Sequence, residues 1–120
     1  MPTQPEELRA RTKEFAIRIV RLFRSLPKND EARIIGNQVL RAGTSVAANY
    51  RATCRARSRA EFVAKLGLVA EEADESLFWL DFAAESKLLT GPELEMLRQE
   101  AGELLAIFSA SLRTARQNRK

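Results

Sequence analysis

Two groups of carboxylates are the residues of this chain with the clearest capacity for chemistry. Three glutamates fall in the run Glu71-Glu72-Ala73-Asp74-Glu75, and two more, Glu100 and Glu103, follow three residues apart. Carboxylates at such spacings on helices can hold Mg²⁺ against a triphosphate. Like charges at positions i and i+4 also repel mildly and therefore favour a basic partner. The run fits an exposed acidic face, a polar network between helices or subunits, or a ligand or metal site.

Other forms of catalysis lack the residues they require. The chain has no histidine, which removes the commonest general base and the commonest metal ligand. Its single cysteine, Cys54, cannot form an intrachain disulfide and has no base to activate it, and no glycine-rich phosphate loop is present. We therefore expect a protein that is not an enzyme and that uses no cofactor or metal.

Positive charge is concentrated in the first half of the chain. Residues 1–60 contain 13 Lys and Arg against 5 Asp and Glu, a net charge of +8, whereas residues 61–120 contain 7 against 11, a net charge of −4. This asymmetry indicates pairing between the halves, within or between subunits, or a basic surface for nucleic acid. The candidate phosphate contacts are the basic residues of one turn and of the C-terminus, namely Arg51, Arg55, Arg57, Arg59, Arg113, Arg116, Arg119 and Lys120.

A polar stripe crosses the middle of an otherwise helix-forming segment, around Gly43. Its members recur at helical spacings and therefore share one face; they are Gln38, Arg41, Ser45 and Asn49. Small neighbouring residues let another helix approach closely, so the stripe is interpreted as a helix–helix contact and not as a helix break. Together with Glu72 and Glu75 these residues form the predicted polar seam, a structural or subunit contact in which Arg41 and Arg51 are the candidate basic partners.

Four amphipathic segments predict four helices, at residues 5–26, 30–54, 59–87 and 92–116. Pro27 ends the first helix, and Asn29 or Asp30 caps the second. The spacings Ser58-x-x-Glu61 and Thr90-x-x-Glu93 predict capping boxes at the third and fourth helices. Short connections force neighbouring helices to run antiparallel, which predicts one all-α, up-down-up-down four-helix bundle spanning residues 1–120.

Apolar residues at helical spacing predict the core: Leu8, Phe15, Ile19, Leu22, Ile35, Val39, Val46, Phe62, Leu66, Leu77, Leu80, Leu97, Leu104 and Phe108. Surplus apolar residues lie outside these stripes and predict an interface of a homo-oligomer; they are Ile17, Val20, Phe23, Leu68, Phe78 and Trp79. No apolar run approaches the roughly 18 residues that span a bilayer, and no signal-peptide pattern opens the chain. We therefore expect a cytoplasmic protein with no membrane partner.

The segment from residue 22 to residue 88 resembles the four-helix bundle family encoded by intervening sequences of bacterial 23S rRNA genes. The matching residues are Gln38-x-x-Arg41-Ala42-x-x-Ser45-Val46-x-x-Asn49-Tyr50, Ser58-x-x-Glu61-Phe62, Lys65-Leu66, Glu71-Glu72-Ala73 and Trp79-Leu80. The resemblance implies a left-handed bundle that forms homo-oligomers, with a pentamer favoured, and that has no established enzymatic activity. It also implies similarity in fold to the accessory variability proteins of diversity-generating retroelements, which bind nucleic acid. This chain departs from the family encoded by rRNA intervening sequences at Arg51-Ala52, where members of that family commonly carry an acidic residue.

Three functions are consistent with these residues. The first is a non-enzymatic oligomer that binds RNA or other nucleic acid through a basic rim. The second is a Mg²⁺-dependent nucleotide pyrophosphatase, because Glu71-Glu72-x-x-Glu75 resembles the Glu-Glu-x-x-Glu motif of the MazG family; the partner motif Glu-x-x-Asp is replaced here by Glu100-Ala-Gly-Glu103. The third is a protein–protein scaffold.

Overall fold

Four α-helices make up the fold in the computed structural model, which describes residues 5–118. They are α1 (Pro5–Arg24), α2 (Asp30–Thr53), α3 (Arg59–Glu85) and α4 (Pro92–Gln117). Each helix packs against the next in the chain, and α4 returns to contact α1, whereas within residues 5–118 no Cα atoms of α1 and α3, or of α2 and α4, come within 8 Å of each other. The described residues contain no strand. The predicted all-α antiparallel four-helix architecture is confirmed, with α1 and α3 at opposite corners.

Capping side chains begin two of the helices. The Asn29 side-chain oxygen accepts a hydrogen bond from the Ala32 amide at 2.9 Å, and the Ser58 hydroxyl accepts one from the Glu61 amide at 3.0 Å. The capping box predicted at Thr90 is wrong. The residue that caps α4 is Gly91, whose φ of 122° suits only glycine, and it makes no side-chain cap bond.

Local hydrogen bonds explain why α1 and α3 end two residues before the predicted positions. After Arg24 the amides of Ser25 and Leu26 bond to carbonyls three residues back, which tightens the chain before Pro27. At the end of α3, Lys87 has a φ of 63°, and the amides of Lys87 and Leu88 bond to the carbonyls of Ala84 and Ala83. This pattern is the Schellman motif, which terminates the helix.

Most of the predicted core is buried. Ile35, Phe62 and Leu77 are only partly buried, but Phe62 and Leu77 still pack against the core. Other buried residues lie outside that list, among them the apolar Tyr50, Val69, Ala73 and Leu94 and three that carry hydroxyls, Thr12, Thr53 and Ser76. The three hydroxyls are satisfied inside their own helices, because each donates to the carbonyl four residues earlier at 2.8 Å.

Gly43 sets the distance between α1 and α2. A Cβ at this position would lie 2.8 Å from Ile19 Cγ1, closer than real Cβ contacts, so only glycine fits without movement. The close approach therefore involves α1, and α2 continues unbroken through its polar middle. No helix within residues 5–118 is long and apolar enough to cross a membrane.

Candidate nucleic-acid interface

Six of the predicted phosphate contacts meet at one end of the bundle, called here the basic end. The antiparallel order brings the end of α2, the turn before α3 and the end of α4 together; these segments carry Arg51, Arg55, Arg57, Arg59, Arg113 and Arg116. One hydrogen bond links the start of α3 to the end of α4: Arg59 Nη2 donates to the Asn118 carbonyl oxygen at 3.1 Å. The predicted contacts Arg119 and Lys120 lie outside the described residues.

The arginines of the basic end are exposed and weakly engaged. Arg57, whose side chain is 91% exposed, approaches Glu61 only at 4.0 Å. Of the charges within residues 5–118, no carboxylate forms an ion pair with Arg51, Arg55, Arg113 or Arg116. Their positive charge is therefore available to an external anion. Glu6 and Glu7, in the first turn of α1, come to the same end, which leaves the α2, α3 and α4 side as its more basic part.

A further cation at this end is Arg9, which was not selected from the sequence and which lies near the buried side chain of Tyr50. Tyr50 is buried, and its ring centroid lies 5.3 Å from that of Phe108. Burial raises the pKa of the Tyr50 hydroxyl, the neighbouring Cys54 thiol raises it further, and the nearby Arg9 guanidinium opposes part of that rise. Arg9 is exposed and adds another cation. Because the Tyr50 ring belongs to the core, it is not available for stacking on a nucleobase.

A shallow depression lies along the end of α4. Its volume is about 470 Å³, and it is lined by Ser109, Leu112, Arg113, Arg116 and Gln117. Hydroxyl, amide and guanidinium groups are all donors to phosphate oxygens. The depression therefore extends the basic end along the side of the bundle.

The predicted polar seam lies at the boundary of α2 and α3, away from the basic end. Arg41 Nη2 donates to Glu75 Oε1 at 3.1 Å and to Gln38 Oε1 at 3.2 Å, with the Arg41 and Glu75 side chains about half exposed. Ser45 and Asn49 are half-buried on the same side of α2. Arg41 is thus the basic partner of the acidic run within the chain, whereas the other candidate, Arg51, is at the basic end.

Glu72 is the least satisfied carboxylate of the acidic run. Its Oε1 atom is buried and has no hydrogen-bond partner within the described residues. Burial raises the pKa of Glu72, and the neighbouring Glu75 and Glu71 charges add to the rise, while Arg41 opposes it. The acidic run therefore carries a mild internal cost at neutral pH.

The second pair of carboxylates holds α1 against α4. Arg11 Nε donates to Glu100 Oε2 at 2.7 Å, and Arg11 Nη2 donates to Glu100 Oε1 at 2.8 Å and to Glu103 Oε1 at 2.6 Å. Hydrogen bonds from Gln99 and Arg11 lower the pKa of Glu103. Glu75 faces α2, while Glu100 and Glu103 face α1, so the two motifs that a pyrophosphatase would combine serve different helix pairs. Between residues 5 and 118, no group of three or more His, Cys, Asp or Glu residues could hold a metal ion.

A small antiparallel four-helix bundle with one arginine-rich end is the class of protein that these features define. The chain belongs to the 23S rRNA-intervening sequence protein family, whose family model matches residues 7–110. It is similar in structure to a protein of unknown function from the S23 ribosomal protein family of Bacteroides thetaiotaomicron VPI-5482, with a TM-score of 0.83 and 29% sequence identity. That match covers 92% of this chain and 99% of the other. No curated protein matches this chain. The resemblance to this family, inferred from the motifs between residues 22 and 88, is confirmed.

Proposed function

We propose that this protein is a non-enzymatic, self-associating bundle that binds RNA or other nucleic acid through the phosphates that contact its basic end. The observation that carries the proposal is the meeting of the arginine-rich turn with the end of α4, fixed by the Arg59–Asn118 hydrogen bond. Guanidinium groups without carboxylate partners attract phosphate oxygens, and their binding releases counterions from the nucleic acid. Such contacts position a protein on a nucleic acid but carry little sequence information.

The aromatic residues support contact with the phosphate backbone in preference to stacking on bases. Single-strand binders present exposed aromatic rings beside a basic groove. Near the basic end the aromatic residues are Tyr50 and Phe108, which are buried, and Phe62, which is partly buried and packed on the core. The exposed rings, Phe78 and Phe82, lie in the second half of α3, which leads to the opposite end. Structured RNA or duplex DNA is therefore the favoured ligand.

Self-association is supported by the outer side of α3. Leu68, Phe78 and Phe82 are 49%, 55% and 42% exposed, and a helix that is apolar on both sides is normally buried by a neighbour. Several copies of the basic end acting on one long nucleic acid would bind more tightly than one copy. Among the possible oligomers a pentamer is favoured, because that is the assembly that the family resemblance implies.

A non-enzymatic role is supported by what the carboxylates do. Arg11 engages Glu100 and Glu103, and Arg41 engages Glu75, so these groups already act as structural ion pairs. The predicted polar seam accordingly serves the packing of α2 against α3 in this proposal.

The test is titration of duplex RNA and duplex DNA with the wild-type protein and with the triple variant Arg55→Gln, Arg57→Gln, Arg59→Gln, at several salt concentrations. The variant should bind more weakly to every sequence, and each lost contact should flatten the log–log salt dependence by about 0.9 for duplex DNA. The matched control is Lys28→Gln, Arg33→Gln, Lys87→Gln, which removes the same charge from exposed sites at the other end. Equal binding by the two triple variants, or no wild-type binding at low salt, would contradict the proposal. Self-association without such binding would instead favour the scaffold.

A further inference from the structure

The exposed side of α3 combines aromatic rings with carboxylates, and is called here the α3 acidic face. Phe78 and Phe82 are exposed, and Trp79 joins them, with centroid distances of 4.9 Å to Phe78 and 5.5 Å to Phe82. Glu71, Asp74, Glu75 and Glu85 are exposed around these rings. After Arg59 the exposed residues of α3 include no lysine or arginine. This face therefore fits a partner surface that is apolar and basic.

A surface of that kind lies on α1, and is called here the α1 basic face. Lys13, Ile17, Arg21 and Arg24 recur at helical spacing, and all are exposed, with Ile17 at 38%. Among the described residues, no carboxylate forms an ion pair with Lys13, Arg21 or Arg24. One exposed carboxylate, Glu14, interrupts this face. The three cations still exceed it, so the face is net positive.

The two faces point to opposite sides of the bundle, because α1 and α3 occupy diagonal corners and their backbones are not neighbours. We propose that the α3 acidic face of one copy binds the α1 basic face of a second copy in a head-to-tail contact. This inference rests on the proposed self-association and adds the two surfaces that produce it. Ile17 would pack on the aromatic cluster, while Arg21 and Arg24 would meet carboxylates and ring faces.

Other pairings of the same surfaces are less favourable. If two α3 acidic faces met, the four carboxylates of one copy would repel the four carboxylates of the other. The adjacent α2 surface offers Arg33 and Arg41, but Asp30 and Glu75 already pair with them within the chain. Since the contacting faces differ and lie on opposite sides, repetition gives a closed ring or an open chain and not a two-fold dimer.

Complementary variants test the inference by sedimentation and light scattering. Phe78→Lys breaks the α3 acidic face, and the pair Arg21→Glu, Arg24→Glu breaks the α1 basic face; each variant alone should lose the wild-type oligomer. A mixture of the two should form a one-to-one complex of twice the 13.5 kDa chain mass, because each variant keeps the face that the other lacks. Met96→Lys, at a 56% exposed apolar residue of α4, is the control and should keep the wild-type mass. If circular dichroism shows that Phe78→Lys has unfolded, Leu68→Lys on the same face replaces it.

The outcomes separate this inference from the broader proposal. Loss of the oligomer in Phe78→Lys with wild-type mass in the arginine variant would overturn the α1 contact while leaving self-association intact. Two monomeric variants that do not combine when mixed would overturn the head-to-tail geometry. A monomeric wild-type protein at tens of micromolar would overturn self-association itself, and the head-to-tail contact with it.

Discussion

The two ends of the bundle use charge in opposite ways. At the end opposite the basic end, Arg98 Nε binds Asp81 Oδ1 at 2.8 Å, Arg98 Nη1 binds Glu95 Oε2 at 3.0 Å, and Arg18 binds Glu93 at 3.1 Å. The Arg98–Asp81 pair joins α3 to α4 and the Arg18–Glu93 pair joins α1 to α4, beside the turn that connects the last two helices, while the Arg98–Glu95 pair lies within α4. At the basic end, a guanidinium makes one hydrogen bond across segments within residues 5–118, and it goes to a backbone carbonyl. Ion pairs thus join helices at the first end, where Arg24, Lys28 and Lys87 nevertheless have no ion pair within residues 5–118, whereas the described arginines of the basic end form no ion pair across helices.

This difference resolves the charge asymmetry of the sequence. Pairing between the basic half and the acidic half is real along the sides of the bundle, where Arg11 and Arg18 of α1 meet glutamates of α4, and Arg41 of α2 meets Glu75. Part of the unpaired remainder collects where the second turn and the end of α4 meet, and another part lies along α1, at Lys13, Arg21 and Arg24. A net charge therefore does not distinguish an internal ion-pair network from a ligand surface, and one small domain can contain both.

The largest expected effect comes from removing the core beneath the basic end. Phe108→Ala should lower the free energy of unfolding by about 3–5 kcal/mol, because the ring is fully buried and packs on Tyr50. Urea denaturation followed by circular dichroism measures the change. Met96→Ala on the exposed side of the same helix should stay within about 0.5 kcal/mol of wild type. A loss below 1 kcal/mol at Phe108 would show that the basic end does not rest on a packed core.

An intermediate effect on stability is expected at the close contact between α1 and α2. Gly43→Ala should destabilise the protein by about 1–3 kcal/mol, because the added Cβ would press on the buried Ile19 and push α1 from α2. Gly102→Ala is the matched control: no atom lies within 4 Å of its added Cβ, so helix propensity should stabilise the protein by about 1 kcal/mol. Thermal unfolding of the two variants compares them directly, and a shift in the same direction for both would refute the packing argument.

The smallest effect tests the comparison of the ends itself. Arg98→Gln should cost about 0.5–1 kcal/mol, since it breaks two partly exposed ion pairs, and the cost should shrink at high salt. Arg55→Gln should leave the free energy of unfolding within about 0.5 kcal/mol of wild type at any salt concentration. Urea denaturation at low and high ionic strength measures both. If Arg55→Gln cost as much as Arg98→Gln, the basic end would be structural and its proposed role in binding would fail.

Local signals in the sequence account for most of the fold. Side chains that cap helices act over three or four residues, so the cap at Ser58, and a cap at Asn29 or Asp30, could be predicted without any knowledge of packing; the structure shows that Asn29 is the cap. Thr90 failed because its neighbour Gly91 can adopt a positive φ and begin the helix one residue later. The Schellman motif at Lys87 escaped prediction for a similar reason, since lysine rarely adopts a left-handed conformation.

Part of the candidate site was also predictable, because topology follows from short connections. Once neighbouring helices must be antiparallel, Arg55, Arg57 and Arg59 come to the end where α4 finishes. Arg9 was missed because it lies in α1, far along the chain from the cluster that it joins. The availability of each arginine could not be predicted, since it depends on which carboxylates come within about 4 Å across helices.

What the sequence determined by itself is the set of elements: four helices, their approximate ends, most of their buried sides and the family to which the chain belongs. The helices, their ends and their buried sides follow from periodicity, capping and turn chemistry, which are local in the chain, and the family follows from the motifs between residues 22 and 88. Only the tertiary structure decided that Gly43 packs on α1 and that Arg41 binds Glu75 of α3. It also decided that Arg11 forms ion pairs with Glu100 and Glu103, and that α1 and α3 face opposite sides. The physical reason is that a helix determines which residues share a face, whereas the neighbours that each face meets depend on how all four helices pack together.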